Sequence, residues 1–79
     1  MFDVFISGAE AHWTVNCFGN TVHMDGRVDD TRGDGHCAEV KGVFSDHTNY
    51  ARNCPATSPP TPFNWSGPGN TVYGYLYLV

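Results

Sequence analysis

Apolar and polar side chains alternate along much of the chain, in short runs separated by Gly, Asn, Asp or Pro. Alternation with a period of two places successive side chains on opposite faces of a strand, and the separating residues are typical of turns. The pattern predicts seven strands, over residues 2–7, 12–18, 21–28, 36–44, 48–54, 63–66 and 70–79. Residues 55–62 are rich in proline, so we expect them to be a connection that crosses one edge of a sandwich.

These strands predict an all-β fold, a compact antiparallel sandwich or small barrel, since no segment resembles a helix long enough to connect parallel strands. In the first strand, Phe2, Val4 and Ile6 share one face. In the next three strands the residues predicted to face inward are Trp13, Val15 and Cys17, then Val22, Met24, Gly26 and Val28, then Ala38, Val40, Gly42 and Phe44.

The final strand has two apolar faces. Val72, Gly74, Leu76 and Leu78 form one, while Tyr73, Tyr75, Tyr77 and Val79 form the other. Such a strand is either central in its sheet or an edge strand whose tyrosine side meets a partner. We therefore name Tyr73, Tyr75 and Tyr77 as candidate partner-binding residues, because tyrosine is enriched at protein interfaces.

Composition limits the chain to a single domain of 79 residues, 41% hydrophobic and 15% charged, which is too apolar for a disordered chain. The net charge is −4 with four basic residues, so nucleic acid is not an expected partner. No apolar run reaches the length of a membrane span and no signal peptide is visible. We expect a secreted protein from which the signal has been removed.

Three cysteines, Cys17, Cys37 and Cys54, allow three pairings. We favour a Cys37–Cys54 disulfide, because Cys17 occupies a predicted inward position where a free thiol behaves as a small hydrophobe. A bridge from Cys17 to either of the other two remains open at this point.

The motifs around these cysteines suggest a family. Residues 26–31, Gly-Arg-Val-Asp-Asp-Thr, are followed by Asp-Gly-His-Cys-Ala-Glu-Val at 34–40 and by Cys54-Pro55. This combination resembles small secreted actinobacterial proteins of the Streptomyces type, a group of mostly unassigned function. The resemblance is good over residues 26–55 and loose over the aromatic residues 63–65 and the closing tyrosine-rich strand. It implies export, a Cys37–Cys54 bridge and a β fold, and it supplies no catalytic motif.

Acidic residues gather in the polar loop after the third predicted strand. Oxygen ligands are what Ca²⁺ requires, so Asp29, Asp30 and Asp34 are candidate calcium ligands, although Asp-Gly turns explain the same residues without an ion. We expect no cofactor. Glu10 and Glu39 are the only glutamates and no nucleophile motif is present, so an enzyme is not expected.

The sequence thus predicts a small secreted non-enzymatic module that binds another secreted protein, as a subunit of a secreted assembly or toxin complex or as an inhibitor. The alternative is a carbohydrate- or surface-binding module that uses exposed Tyr and Trp. Trp13 and Trp65 are assigned to the core.

Overall fold

The computed structural model describes residues 1–33 and 35–79, and across these residues the chain forms seven strands and no helix. The strands are β1 (Phe2–Ile6), β2 (Ala9–Phe18), β3 (Thr21–Asp30), β4 (Ala38–Val43), β5 (Thr48–Asn53), β6 (Thr61–Pro68) and β7 (Tyr73–Leu78). The predicted all-β fold of about seven short strands is therefore confirmed. Over the same described ranges, no helix is long and apolar enough to span a membrane.

The strands form two antiparallel sheets that pack face to face. One sheet has the order β1-β2-β3-β6 and the other the order β5-β4-β7. Strand β7 therefore lies at an edge of the three-stranded sheet. Its two apolar faces allowed either a central or an edge position, and the structure has the edge position. The proline-rich segment joins β5 to β6, the edge strands on one side of the sandwich, as expected.

The core lies between the two sheets. Among the described residues its buried apolar members are Ala9, Ala11, Trp13, Val22, Met24, Val28, Ala38, Val40, Phe44 and Phe63. The inward faces predicted for the third and fourth strands are confirmed, with Gly26 half-buried rather than buried. A small domain of this size has little apolar area to spare, so close packing between the sheets matters for its stability.

Each tryptophan of the four-stranded sheet packs across this interface onto a glycine of the other sheet. A Cβ atom at Gly74 would lie 2.6 Å from Cζ2 of Trp13, and one at Gly42 would lie 2.8 Å from Cε3 of Trp65. Real Cβ contacts are longer than this, so only glycine allows the indoles to lie this close to the backbone.

The proline-rich side of the sandwich is closed by the buried side chain of Asn53. Its Oδ1 accepts the backbone N–H of Asp30 at 2.8 Å, while its Nδ2 donates to Pro59 O at 2.7 Å and to Thr61 Oγ1 at 3.1 Å. One side chain thus joins β3, β5, the connection and β6. The predicted Cys37–Cys54 disulfide is confirmed beside it.

The inward position predicted for Cys17 is wrong, because the thiol is exposed and free. Strand β1 pairs with β2 only from Ala9 to Trp13, so β2 becomes the edge of its sheet beyond that point. Cys17 therefore has a neighbouring strand on the β3 side alone, where it pairs with Val22. The reason given for favouring the Cys37–Cys54 pairing was therefore incorrect, although the pairing itself is right.

Three strands extend beyond their predicted limits. Strand β2 begins at Ala9 rather than at residue 12, because Ala9 already pairs with β1. Strand β3 runs to Asp30, so Asp29 and Asp30 belong to a strand rather than to the loop that follows. Strand β6 runs from Thr61 to Pro68, since Gly67 and Pro68 continue the pairing with β3. Proline is tolerated there because β6 is an edge strand.

Candidate functional site

The outer face of the three-stranded sheet carries all four tyrosines of the protein. The β4 register places Lys41 opposite Tyr50 of β5 and opposite Tyr75 of β7, and it places Glu39 opposite Arg52 and Tyr77. Val43 is likewise opposite Tyr73. We call this surface the tyrosine face; its members are Glu39, Lys41, Tyr50, Arg52, Tyr73, Tyr75 and Tyr77.

Three of the four tyrosines on this face are well exposed, since Tyr50 is 61%, Tyr73 is 60% and Tyr75 is 49% accessible. Lys41 lies among them, with Nζ 5.1 Å from the ring centroid of Tyr75 and 5.9 Å from that of Tyr77. Cation–π contacts hold the ammonium group over the rings. Among the described residues no carboxylate lies within ion-pair distance of Lys41, so its charge is free to meet one from outside.

Beside Lys41, a row of side chains across the three strands consists of Arg52, Glu39 and Tyr77. Contacts within this row fix the position of Tyr77. Its hydroxyl donates to Glu39 Oε2 at 2.5 Å, and Arg52 Nη2 lies 3.2 Å from Glu39 Oε1. Glu39 is consequently almost buried although it lies on an outer sheet face. Burial raises the pKa of Tyr77 to about 12, and the hydrogen bond to the Glu39 carboxylate and its negative charge add to the shift.

The two outer faces of the sandwich differ in charge. The face of the four-stranded sheet carries four carboxylates and one arginine; these residues are Asp3, Glu10, Asp25, Asp29 and Arg27. On the tyrosine face, the negative charge of Glu39 is balanced by the positive charge of Arg52, so the remaining charge is that of Lys41. A protein of net charge −4 thus presents one face that is not acidic, and the exposed tyrosines lie on that face.

The three tyrosines named from the sequence lie together on this face, and their role in binding stays a prediction. Sequence reasoning missed Glu39, Lys41 and Arg52. Alternation alone shows that Glu39 and Lys41 point away from the core, but their tyrosine neighbours follow only from the β4–β7 register.

The aspartates named as calcium ligands are not brought together as far as the structure describes them. Asp29 and Asp30 are consecutive in β3 and point to opposite faces, and the buried Asp30 accepts the N–H of Arg32 through Oδ1 at 3.2 Å. Asp34 lies outside the described residues. Over the described ranges, no three His, Cys, Asp or Glu side chains form a group that could hold a metal ion.

A shallow apolar groove borders the tyrosine face where β1 and β7 approach each other. Its volume is about 240 Å³, and its walls include Phe2, Trp13, Tyr73, Gly74 and Tyr75. Phe2 is exposed and stacks on Trp13 with a centroid separation of 6.0 Å. The groove and the tyrosine face thus form one continuous aromatic surface at the β7 edge.

Comparison of the chain with protein-family models, with curated proteins and with solved structures finds no match.

Proposed function

We propose that this protein is a small secreted, non-enzymatic module that binds another secreted protein through the tyrosine face. The observation that supports the proposal is the cluster of Tyr50, Tyr73 and Tyr75, all about half exposed or more, around a lysine with no carboxylate partner among the described residues. Tyrosine supplies a large contact area at a low entropy cost, and such residues dominate the binding energy of protein interfaces. The disulfide in so small a domain is compatible with an extracellular location.

Charge favours a partner whose contact surface is acidic. Lys41 is held over two rings and has no ion-pair partner among the described residues, so a carboxylate from the partner would meet a charge that is already positioned. The acidic outer face of the other sheet would repel the same partner and set its orientation. A subunit of a secreted assembly or an inhibitor of a secreted protein would both fit this arrangement.

The carbohydrate-binding alternative loses the tryptophans on which it partly depended. Trp13 is buried against Gly74, and Trp65 is half-buried, stacked on Phe63 and packed against Gly42. Of the Tyr and Trp side chains on which this alternative depends, the tyrosines remain available to stack on a sugar.

The test is capture from the culture fluid of the producing organism by immobilised protein, followed by identification of what is retained. Tyr75→Ala and Tyr50→Ala should each weaken capture by about 30-fold or more, which corresponds to a loss of about 2 kcal/mol. Lys41→Ala should weaken it and reduce its dependence on salt. Phe5→Ala is the matched control, because Phe5 is 65% exposed on the outer face of the other sheet.

Capture of the same protein by all four variants would mean that another surface binds it. Retention that survives protease treatment of the fluid and disappears after its glycans are oxidised would favour the carbohydrate alternative instead.

A further inference from the structure

The free edge of β7 presents unpaired backbone groups. Cys37 and Val79 exchange two backbone hydrogen bonds of 2.9 Å, so the odd-numbered residues of β7 point their N–H and C=O groups toward β4. By the same alternation, Gly74, Leu76 and Leu78 point theirs away from the sheet. A row of donors and acceptors is thus available along the length of the strand.

The edges formed by β1, β5 and β6 carry features that discourage strand addition, and the further edge that β2 forms beyond Trp13 is five residues long. Strand β6 contains Pro62 and Pro68, and β1 contains the charged Asp3. On β5, the carbonyl of Arg52 accepts the hydroxyl of Thr61 at 3.0 Å. Strand β7 contains no proline and no charged residue, and it is exposed on its tyrosine side. Proteins normally protect such an edge, so an unprotected one indicates a strand partner.

We propose that the partner of this edge is a second copy of the chain, whose β7 pairs antiparallel with the first across a two-fold axis. In a two-fold interface a charge near the axis lies close to the same charge of the second copy, and residues 70–79 contain no Asp, Glu, Lys or Arg that would be repelled in this way. The contact would join the two three-stranded sheets into one continuous sheet.

The position of the groove at Gly74 is compatible with this pairing. Two conditions limit the register. The inward-facing side chains of one copy must lie beside those of the other, and the new hydrogen bonds must use the free N–H and C=O groups. Two registers centred near the middle of β7 meet both conditions. In one, Leu76 faces itself and Gly74 faces Leu78; in the other, Tyr75 faces itself and Gly74 faces Leu76. Either register places a leucine of the second copy opposite Gly74, at the groove of about 240 Å³.

The exposed apolar side chains near this edge are of the kind that form dimer interfaces. A stable interface of standard size removes about 800 Å² from each partner, which is roughly a sixth of the 4540 Å² accessible surface of the chain. Phe2, Tyr73, Tyr75 and Val79, all more than 40% exposed, flank the edge and would contribute to it. This inference does not rest on the proposed partner binding, although Tyr73 and Tyr75 border both surfaces.

Sedimentation equilibrium tests the proposal, in a Cys17→Ser background that excludes dimers linked through the exposed thiol. We expect the mass to rise with concentration from 8.7 kDa to twice that value. A chain that stays monomeric up to about 100 µM, where even weak specific dimers assemble, would overturn the proposal.

A backbone variant tests which edge is used. Residues 54–79 can be synthesised and ligated at Cys54, which allows N-methylation of the Leu76 amide without changing its side chain. Loss of an edge donor and the bulk of the methyl group should weaken dimerisation by about tenfold or more. N-methylation of the exposed Thr71 is the matched control. Equal dimerisation of both backbone variants would place the contact elsewhere.

A pair of side-chain variants gives an independent measurement. Tyr75 and Tyr50 both lie opposite Lys41, but on β7 and on β5 respectively. Tyr75→Glu should weaken dimerisation by introducing a charge beside the two-fold axis, whereas Tyr50→Glu should leave it unchanged. A greater loss with Tyr50→Glu would contradict the assignment of the β7 edge.

Discussion

The indole of Trp13 lies against the backbone of Gly74, so that a Cβ atom at residue 74 would be 2.6 Å from Cζ2 of the ring and 2.9 Å from the methyl of Met24. This contact joins β2 of one sheet to β7 of the other. It positions the strand that carries Tyr73 and Tyr75, and it forms one end of the groove beside Phe2. Core packing and the candidate binding surface therefore share this contact.

Gly74→Ala should destabilise the fold by about 1–3 kcal/mol, because the added methyl group forces the indole or β7 to move within a close-packed core. Denaturant unfolding of the variant measures the change. Gly33→Ala is the control, since a Cβ at Gly33 meets no atom within 4 Å. Shortening the ring with Trp13→Phe should relieve part of the loss, and a double-mutant cycle with no coupling energy would show that the two residues do not compete for space.

Removal of the Asn53 side chain tests the closed side of the sandwich. Asn53→Ala deletes three hydrogen bonds and leaves the N–H of Asp30 without its amide acceptor in a buried position, so we expect a loss of about 2–4 kcal/mol in the free energy of unfolding. Asn64→Ala, at an exposed position on β6, should change stability by less than about 0.5 kcal/mol. Similar small effects in both variants would mean that Asn53 does not join the two sheets.

The sequence predicted the features that depend on a single strand, and it missed those that depend on how the strands pair. Alternation within one strand placed Val22, Met24 and Val40 in the core correctly, because side-chain direction depends only on the strand itself. It misplaced Cys17, since coverage there depends on where β1 ends. The Tyr77–Glu39–Arg52 row was missed, because it needs the register of three strands and because Tyr77 lies on a strand distant in sequence from the other two.

The exposed Cys17 thiol should react with a disulfide reagent in the folded protein. We expect one equivalent of thiol per chain without denaturant, because the other two cysteines are oxidised. Cys17→Ser should abolish this reaction and change the free energy of unfolding by less than about 0.5 kcal/mol, since Cys17 makes one weak contact, from Sγ to Asn70 O at 3.5 Å. A thiol that reacts only after unfolding would restore the buried position predicted from alternation.

Tyr77 should make stability depend on alkaline pH. Its pKa is raised from 10.0 to about 12 in the folded protein, so the folded state retains a proton that the unfolded chain loses first. The resulting stabilisation is complete below pH 10 and is lost as the pH rises through 12. We expect it to amount to about 1 kcal/mol, because Tyr77 is partly exposed and solvent screens the interaction.

Absorbance titration of phenolate should show one component with a pKa of about 12, absent from Tyr77→Phe and retained in Tyr75→Phe. Glu39→Gln keeps an acceptor for the hydroxyl but removes the charge, so it should lower the pKa of this component without returning it fully to 10.0, because burial is the larger cause of the shift. An unchanged titration in Glu39→Gln would mean that burial alone holds the proton on Tyr77. The carboxylate would then serve mainly to position the ring through Arg52 and the strand register.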